Sequence, residues 1–393
     1  MNMVKFKLLQ IVLILCLTQG YVLNAQDPFY THFLGNESRF NPAFTGFKGS
    51  TNVNLKYKSQ WNQYGKAGFH TGSFYFEESM PCSYFDYGLN LDWDQEGEGF
   101  LTTYTAGLRG SGAIPFEIGQ SHHNIKVGVG LQWSLKTIEY SKLVFSDELD
   151  AKYGFKDEFG NDLKSGFLPP NGGRSLWFFT PTIGFVHQVL FNKDSKRGFN
   201  MTYGFAMHNF YSLGNSSVTG GSESILGQET KIPSRYNFLL SSEFIMVNLK
   251  RSFVSLKPMV LYQKQQNLKY WEAGARLSLN RQAAIGFSYH FNGQAKSGWN
   301  TDWFTVSLEL AKFINKDSQI AIGLAYSDNI SGIRNYLGAT YELTFAIHFA
   351  SSPSCKLAGK GDEVPYSSDV KCEINSISPS KRKLYENIWY QAK

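Results

Sequence analysis

The chain has 393 residues, with 38 Lys and Arg against 32 Asp and Glu, for a formal net charge of +6. This charge is too small and too dispersed to favour a nucleic-acid-binding protein. Charged residues make up only 18% of the chain and aromatic residues 16%, a composition that suits a protein with aromatic girdles around a lipid-facing band.

Residues 1–25 have the pattern of a secretory signal peptide. Lys5 and Lys7 precede a nearly unbroken apolar run over 8–17, and Ala25 is a small residue at the expected cleavage site. The run is shorter than the roughly 20 residues that a membrane-spanning helix needs. The pattern therefore predicts export, with a formal charge of +4 after cleavage.

Alternating apolar and polar residues recur along the rest of the chain. The longest example has Leu337, Ala339, Tyr341, Leu343, Phe345, Ile347 and Phe349 separated by Gly338, Thr340, Glu342, Thr344, Ala346 and His348. Because a strand points successive side chains to opposite faces, one face is apolar and the other small or polar. A half-buried sheet in water gives the same signal, but the number and length of these segments favour strands that cross a bilayer.

About fourteen such strands are predicted, an even number as in bacterial single-chain barrels. The predicted spans are 51–58, 67–77, 84–94, 101–113, 123–136, 175–190, 198–209, 235–246, 252–263, 269–280, 281–293, 302–313, 317–327 and 337–349. The expected fold is an all-β, antiparallel, transmembrane outer-membrane β-barrel over 51–349, preceded by a pre-barrel or plug segment at 26–50 and followed by a periplasmic extension at 350–393. Inward positions carry Lys56, Lys126, Asp92, Glu309, Glu342 and His348.

The lengths of the connections predict the orientation. The two longest, 137–174 and 210–234, follow the fifth and seventh predicted strands, so both lie at the same end of the barrel. Outer-membrane barrels have long loops outside and short turns in the periplasm. We therefore expect both chain ends in the periplasm and both long loops at the cell surface.

Several short motifs resemble a known family. Residues 26–33 read Gln-Asp-Pro-Phe-Tyr-Thr-His-Phe, residues 41–46 read Asn-Pro-Ala-Phe-Thr-Gly, and the first predicted strand leads to Gln60-Trp61. The first long loop contains Phe145-Ser146-Asp147-Glu148-Leu149-Asp150. Over 26–349 these features resemble the PorP/SprF family of Bacteroidota outer-membrane proteins. The matching residues singled out here are Asn41, Pro42, Ala43, Gly46, Gln60, Trp61, Asp147 and Asp150.

The resemblance implies a non-enzymatic role in the type IX secretion system and its gliding branch. Family members of this kind bind the type B C-terminal domain of a secreted adhesin and support its export or surface anchoring. The expected partners are that adhesin at the outer loops, other periplasmic or outer-membrane secretion and gliding components, and the lipid and lipopolysaccharide around the barrel. The alternative is a diffusion channel or hydrophobic-solute transporter. The segment 350–393 departs from the family, whose barrels generally stop soon after the last strand.

Catalytic and metal motifs are weak. Pro42 and Gly46 suit a turn into the first strand. Acidic residues around Asp147 could offer oxygen ligands to Ca²⁺, but their spacing matches no standard loop, and a solvated acidic face is favoured. His122 and His123 fall in a predicted short turn and have none of the neighbouring ligands that a metal site needs. We expect no enzymatic activity, no cofactor and no metal.

The C-terminal extension carries two further predictions. Cys355 and Cys372 could pair in an oxidising periplasm, closing a loop of about 17 residues worth roughly 3 kcal/mol; Cys82 is a competing partner, and free thiols are the alternative. Residues 381–393 are predicted to form a short helix, with an apolar stripe hypothesised to dock on a periplasmic partner or the barrel mouth. That stripe consists of Leu384, Tyr385, Ile388 and Trp389.

Overall fold

Fourteen antiparallel strands form a closed barrel, as the alternating pattern predicts. The computed structural model describes residues 30–31, 37–61, 68–80, 83–97, 100–191, 199–210, 224–226, 232–248, 253–280, 282–292, 302–315, 318–330, 336 and 338–349. The strands are β1 (Ser50–Gln60), β2 (Phe69–Ser79), β3 (Phe85–Glu96), β4 (Leu101–Ile118), β5 (Ser121–Thr137), β6 (Phe178–Phe191), β7 (Phe199–His208), β8 (Arg235–Asn248), β9 (Phe253–Gln265), β10 (Leu268–Leu279), β11 (Ala283–Asn292), β12 (Trp303–Asn315), β13 (Ser318–Asn329) and β14 (Thr340–Phe349).

Pairing between the first and last strands closes the sheet. β1 pairs with β14 from Asn52 opposite His348 to Ser59 opposite Tyr341, and every other strand pairs with its neighbours in sequence. A closed sheet leaves no open edge, which is what a sheet in hydrocarbon requires. Within the described part of the chain, no helix is long and apolar enough to cross a bilayer.

The two faces of the barrel differ in the way that the sequence predicts. On β14, Leu343 is 47% exposed on the outer surface, whereas Thr344 is 0% exposed on the inner one. The same alternation places Leu108, Val129 and Leu308 outside. The predicted inward residues Lys56, Lys126, Asp92, Glu309 and Glu342 are all buried inside the barrel. The apolar half of each two-residue repeat therefore faces lipid, and the polar half faces the lumen.

The two ends of the barrel have connections of different length. The connections after odd-numbered strands include the β5–β6 loop (138–177) and the β7–β8 loop (209–234), and we call this the long-loop end. The connections after even-numbered strands lie at the short-turn end, where β1 begins and β14 ends. The β5–β6 loop contains three short 3-10 turns, at Tyr140–Lys142, Ser146–Glu148 and Pro170–Gly173.

The prediction that His122 and His123 lie in a turn is wrong. β4 and β5 pair as far as Ile118 opposite Ser121, so both histidines belong to β5. His122 is buried inside the barrel, with Nδ1 3.6 Å from a Glu117 carboxylate oxygen. His123 lies on the outer surface, where its ring stacks on Phe116. The hairpin continues because its residues keep the alternation beyond the predicted boundaries.

A segment that precedes β1 contacts the inner wall of the barrel. We call residues 30–31 and 37–49 the inner segment; they include a one-turn helix, α1 (Glu37–Phe40), and a 3-10 turn at Pro42–Phe44. Phe40, Ala43, Phe44 and Phe47 form a hydrophobic cluster with inward residues of four strands, namely Val186, Leu239, Leu261 and Tyr270. Contacts with strands on several sides show that the inner segment lies within the lumen.

Candidate functional site

The inner segment turns sharply at Asn41, whose side chain is bonded to the chain itself and to the barrel wall. Asn41 Oδ1 accepts a hydrogen bond from the Ala43 backbone N–H at 2.9 Å, which caps the 3-10 turn. Its Nδ2 donates to the backbone carbonyls of Phe185 on β6 at 3.0 Å and Phe205 on β7 at 3.1 Å. One buried amide therefore fixes the turn to two strands.

Inward glycines make room for this turn. A Cβ atom at Gly184 would overlap Oδ1 of Asn41, and one at Gly128 would overlap the backbone between Pro42 and Ala43. A Cβ at Gly204 would lie 3.0 Å from Asn41 Nδ2. Sequence reasoning missed these residues. The available signal is a glycine at an inward position of a strand, which often marks a close backbone approach.

Hydrogen bonds also hold the ends of the two short helices. The Phe40 carbonyl accepts from Asn237 Nδ2 at 2.7 Å and is 3.1 Å from His208 Nε2. The Thr45 carbonyl accepts from Lys126 Nζ at 2.6 Å and from the Ser111 hydroxyl at 2.9 Å. These contacts satisfy carbonyl groups at helix ends that would otherwise be buried without donors.

Two ion pairs complete this part of the lumen. Arg39 donates to the Asp92 carboxylate on β3 at 2.9 Å, and the same oxygen of Asp92 accepts from the Ser73 hydroxyl at 2.5 Å and the Tyr75 hydroxyl at 2.9 Å. Lys126 Nζ lies 2.8 Å from the carboxylate of Asp86, which is also on β3. A buried ion pair is sensitive to the loss of either partner, because the remaining charge stays out of water.

The first described residues of the inner segment lie against β1, β2, β13 and β14. Thr31 donates to the same Glu342 oxygen from its backbone N–H and its hydroxyl, each at 2.7 Å. The Tyr30 hydroxyl is 2.6 Å from Ser73 Oγ, and Lys56 Nζ lies 4.9 Å from the centre of the Tyr30 ring. Glu342 is close to the long-loop end of β14, so Tyr30 and Thr31 lie in the part of the lumen near the long-loop end.

A row of hydrogen bonds continues from Thr31 around the wall. Thr31 Oγ1 lies 3.1 Å from Ser327 Oγ, which lies 2.8 Å from Thr305 Oγ1. His290 is 2.7 Å from Thr305 and 2.5 Å from the Tyr270 hydroxyl, which donates to Glu272 at 3.1 Å. With Glu342, the row includes one polar side chain or more from each of β10 to β14. The inner segment joins this row at β13 and β14, and bonds between wall residues continue it to β10.

A cavity remains between the inner segment and the long-loop end. This mouth cavity has a volume of about 150 Å³. It is lined by residues near the long-loop ends of β3 to β9, by Arg39 and by residues of the β7–β8 loop: Arg39, Asp92, Asp94, Glu96, Leu101, Thr103, Thr105, Gln132, Ser134, Lys136, Phe178, Thr180, His208, Asn209, Ile232, Pro233, Arg235 and Gln265. Charged, neutral polar and apolar side chains all contribute to its surface.

The β5–β6 loop uses its acidic side chains to hold its own shape. Asp147 accepts hydrogen bonds from the Gly166 backbone N–H at 2.8 Å and the Ser165 hydroxyl at 2.9 Å, and these bonds lower the pKa of its carboxyl group. Asp150 accepts from the backbone N–H groups of Tyr153 and Lys152, which lower its pKa in the same way. Within the described residues, no group of three or more His, Cys, Asp and Glu side chains is placed to hold a metal ion.

The same loop exposes large apolar side chains. Leu168 is 87% exposed and Phe159 80% exposed, far more than the lipid-facing residues of the strands. Other exposed apolar residues of the loop are Val144, Leu149, Tyr153, Phe155, Phe167, Leu176 and Trp177. Exposed apolar side chains grouped on one loop are typical of a surface that binds another protein.

Comparison with models of known protein families identifies the family of this chain. The model of the family described as "Type IX secretion system membrane protein PorP/SprF" matches residues 22–347, which include every strand except the last two residues of β14. This chain belongs to the PorP/SprF family. It is accordingly a β-barrel of the outer membrane and a component of type IX secretion. No curated protein matches the chain.

Solved barrels outside the PorP/SprF family are only distantly similar. CymD, a monoaromatic hydrocarbon channel, is 10% identical with a TM-score of 0.41, and the match covers 81% of this chain and 93% of CymD. The toluene transporter TodX of P. putida is 10% identical with a TM-score of 0.38, covering 80% and 93%. Omp33 of Acinetobacter baumannii is 8% identical with a TM-score of 0.35, covering 77% and 99%.

The residues that carried the PorP/SprF resemblance lie in three places. Asn41, Pro42 and Ala43 form the turn inside the lumen. Gly46 has a φ of +69°, and a Cβ there would lie 2.8 Å from Asp86 Cβ, so both its conformation and its surroundings require glycine. Gln60 ends β1 and Trp61 follows it at the long-loop end, where its ring meets Phe69 edge-on. Asp147 and Asp150 lie in the β5–β6 loop.

The remaining residues singled out from the sequence lie outside the described part of the chain. These are the possible disulfide partners Cys355 and Cys372, their competitor Cys82, and the proposed docking residues Leu384, Tyr385, Ile388 and Trp389. The signal peptide at 1–25 and the extension at 350–393 are outside it as well. Their roles remain predictions.

Proposed function

We propose that this PorP/SprF barrel binds the type B C-terminal domain of a secreted adhesin at its outer loops and supports export or surface anchoring of that adhesin in type IX secretion and gliding. The role is non-enzymatic: the barrel supplies a rigid scaffold and a binding surface. Lipid and lipopolysaccharide contact its outer face, and other secretion or gliding components contact its periplasmic side.

The exposed apolar side chains of the β5–β6 loop carry this proposal. Phe155, Phe159 and Leu168 are exposed to solvent, whereas Asp147 and Asp150 accept hydrogen bonds from other residues of the loop. A loop that is held in shape by its own hydrogen bonds loses little conformational freedom on binding. Aromatic and aliphatic side chains on such a surface are the usual source of binding energy in protein interfaces.

The contents of the lumen support an anchor over a channel. The inner segment crosses the lumen and is bonded to wall residues on many strands, including Asp92, Asn237 and Glu342. The inner segment therefore occupies space in the lumen that solutes would otherwise use. A diffusion channel or hydrophobic-solute transporter remains the alternative, and it requires a path that the inner segment leaves open.

The orientation that we propose places the long-loop end outside the cell. The barrel begins at Ser50 and ends at Phe349, both at the short-turn end, which supports a periplasmic location for the two barrel ends and the extension at 350–393. Both chain ends are proposed to be periplasmic on this basis.

Substitution of the loop surface tests the proposed function. The variant Phe155→Ser, Phe159→Ser and Leu168→Ser removes apolar surface without changing the acidic side chains that hold the loop. In cells that secrete adhesins, the fraction retained on the surface should fall roughly tenfold, a loss typical of interface residues that dominate binding. The matched control is Leu108→Ser, which removes an exposed apolar side chain from the lipid-facing wall. Unchanged surface retention in the loop variant would contradict the proposal.

A further inference from the structure

We propose that Lys264 and Lys269 form a binding site on the outer wall for a phosphate group of lipopolysaccharide, the lipid of the outer leaflet. This inference rests on the proposed orientation, which places the long-loop end outside the cell. It adds a lipid site that is separate from the loop proposed to bind the adhesin. The two ammonium groups bind one phosphate of the head group, next to a row of aromatic rings.

The two lysines face each other across the β9–β10 hairpin. Lys264 pairs with Lys269 in the antiparallel register, and a connection of only two residues, Gln266 and Asn267, joins the strands beyond them. A two-residue turn fixes the register of a hairpin. Residues directly opposite each other have Cβ atoms about 4.5–5.5 Å apart, so the two ammonium groups can reach the same anion.

Both lysine side chains lie on the outer face of the barrel. Each is exposed, whereas the neighbouring residues Gln263 and Tyr270 are buried on the inner face. Within the described part of the chain, no carboxylate lies within ion-pair distance of either ammonium group. Like charges directly opposite each other destabilise a sheet. The hairpin therefore carries a repulsion that a bound anion removes.

A row of aromatic rings lies below the lysines on the same face. Tyr262 pairs with Trp271 at the next outward position of the hairpin, and their ring centres are 4.3 Å apart. Trp271 also stacks on Phe291 of β11, with ring centres 6.0 Å apart and planes inclined by 3°. Aromatic girdles mark the boundary between hydrocarbon and head groups. The lysines lie two residues, or about 7 Å, further along the strands, which is the height of the head groups.

A hydroxyl group is available beside the lysine pair. Tyr236 of β8 pairs with Lys264, and its ring stacks on Phe205 of β7. The Tyr236 hydroxyl has no hydrogen-bond partner among the residues that the structure describes. A neutral donor next to two ammonium groups suits a ligand with several acceptor oxygens, such as phosphate.

A lipid phosphate fits this position better than an acidic segment of a protein. The site is on the wall of the barrel, above the exposed apolar residues Phe238 and Val260 of the lipid-facing band. A turn of two residues rises little above that wall, so the lysines stay at the level of the lipid. Lysines next to a membrane surface attract its anionic head groups.

Lipid binding by the purified protein tests the site. The native protein, Lys264→Gln with Lys269→Gln, and Lys164→Gln with Lys312→Gln are prepared in detergent without lipopolysaccharide. Native mass spectrometry then measures binding of added lipopolysaccharide. The control pair removes the same charge from an exposed residue of the β5–β6 loop and from β12 towards the short-turn end.

The affinity of the double-lysine hairpin variant should fall roughly thirtyfold, the effect of two lysines near an anionic lipid surface. The control pair should keep the native affinity. Equal affinity of all three proteins would overturn the site.

Two further lipids identify the group that is bound. Lipopolysaccharide stripped of its phosphate groups should bind the native protein as weakly as the intact lipid binds the hairpin variant. Phosphatidylglycerol should also bind more weakly, because a phosphate diester carries one charge and a monoester carries up to two. Unchanged binding of the stripped lipid would overturn phosphate as the recognised group. Tighter binding of phosphatidylglycerol would overturn lipopolysaccharide as the occupant.

Stability gives an independent measure. Without lipopolysaccharide, Lys264→Gln should unfold at the native temperature or above it, because the substitution removes the repulsion. Added lipopolysaccharide should raise the unfolding temperature of the native protein more than that of the variant. Heat-dependent mobility in detergent gels follows both. An equal rise in the two proteins would overturn the site.

Retention of adhesin on cells separates this inference from the proposed function. The hairpin variant should retain secreted adhesins as the native protein does, and the Phe155→Ser, Phe159→Ser, Leu168→Ser variant should bind lipopolysaccharide normally. Full retention in the loop variant, with lipid binding lost in the hairpin variant, would contradict the proposed function and support the lipid site. Loss of adhesin from the hairpin variant with unchanged lipid binding would overturn the lipid site in favour of an acidic protein partner.

Discussion

Gly184 of β6 lies directly beneath the side chain of Asn41, so closely that a Cβ atom on Gly184 would overlap Asn41 Oδ1. The same Asn41 side chain donates to the backbone carbonyls of Phe185 and Phe205, the cross-strand pair next to Gly184 and Ala206. At this position the wall and the inner segment are complementary: Gly184 leaves the space that Asn41 occupies, and Asn41 makes the hydrogen bonds to the wall.

Gly184→Ala should destabilise the barrel by about 1–3 kcal/mol, the usual cost of extra atoms in a packed interior. The methyl group would displace Asn41 and break its bonds to the wall. Unfolding in urea, followed by heat-dependent mobility in detergent gels, measures the effect. Gly112→Ala on β4 is the matched control, because a Cβ there meets no atom within 4 Å. Equal stability of the two variants would show that the hydrogen bonds of Asn41 tolerate a Cβ atom at position 184.

Breaking the pair of Arg39 and Asp92 should cost about 3–5 kcal/mol in either single variant, because the remaining charge is buried without its partner. Arg39→Met and Asp92→Asn test the two sides, and the double variant should recover part of the loss. The comparison is Glu139→Gln, which removes an exposed ion pair with Lys142 and should cost less than about 1 kcal/mol. Additive losses in the double variant would mean that the two side chains do not stabilise each other.

The strands could be predicted from sequence because their signal is local. Leu343 and Thr344 face opposite sides of the sheet because they are neighbours in one strand. The same alternation holds along the other strands, except at the irregularities near Val247 in β8 and Phe313 in β12. The placement of the inner segment could not be predicted, since Asn41 meets Phe205 across 164 residues of sequence. Gly184 and Gly204 read as small residues on the polar face, and their role is visible only once Asn41 is beside them. The continuation of β4 and β5 past their predicted ends keeps the same alternation, with Ile114 and Ile118 exposed on the outer face, so the local pattern already contained it.

The β5–β6 loop should keep its structure from neutral pH down to about pH 4 and lose it progressively at lower pH, as the lowered pKa values of its carboxyl groups are passed. The pKa values of Asp147, Asp150 and Asp157 are lowered in the folded loop by hydrogen bonds from nearby backbone and side-chain groups. A carboxyl group whose pKa is lowered in the folded loop stabilises that loop at every pH above its ordinary pKa. This stabilisation is lost as the pH falls through the lowered pKa.

Hydrogen exchange at the backbone amides of Gly166 and Tyr153, corrected for the intrinsic effect of pH, follows this transition. At neutral pH, Asp147→Asn should speed exchange at Gly166, whereas Glu158→Gln, at an exposed residue of the same loop, should leave it unchanged. Protection that is the same at pH 3 and pH 7 would show that these carboxylates do not hold the loop.

Removal of residues 30–47, which include most of the inner segment, should make the barrel conduct ions. The intact protein in planar bilayers is expected to show no steady ion conductance, because the inner segment occupies the lumen. The shortened protein should conduct, since a fourteen-stranded barrel is wide enough for an aqueous path. If the shortened protein does not fold, Arg39→Met with Asn41→Ala should raise the frequency of channel openings. Steady conductance of the intact protein would favour the channel or transporter over the anchor.

The most direct test of the account is what purifies with the barrel. The intact protein and the Phe155→Ser, Phe159→Ser, Leu168→Ser variant are isolated in gentle detergent from cells that secrete adhesins, and co-purifying proteins are quantified by mass spectrometry. The account predicts a secreted protein with a type B C-terminal domain bound to the intact barrel and its loss, by roughly tenfold, from the variant. Recovery of no such protein with the intact barrel, or equal recovery with both, would contradict it.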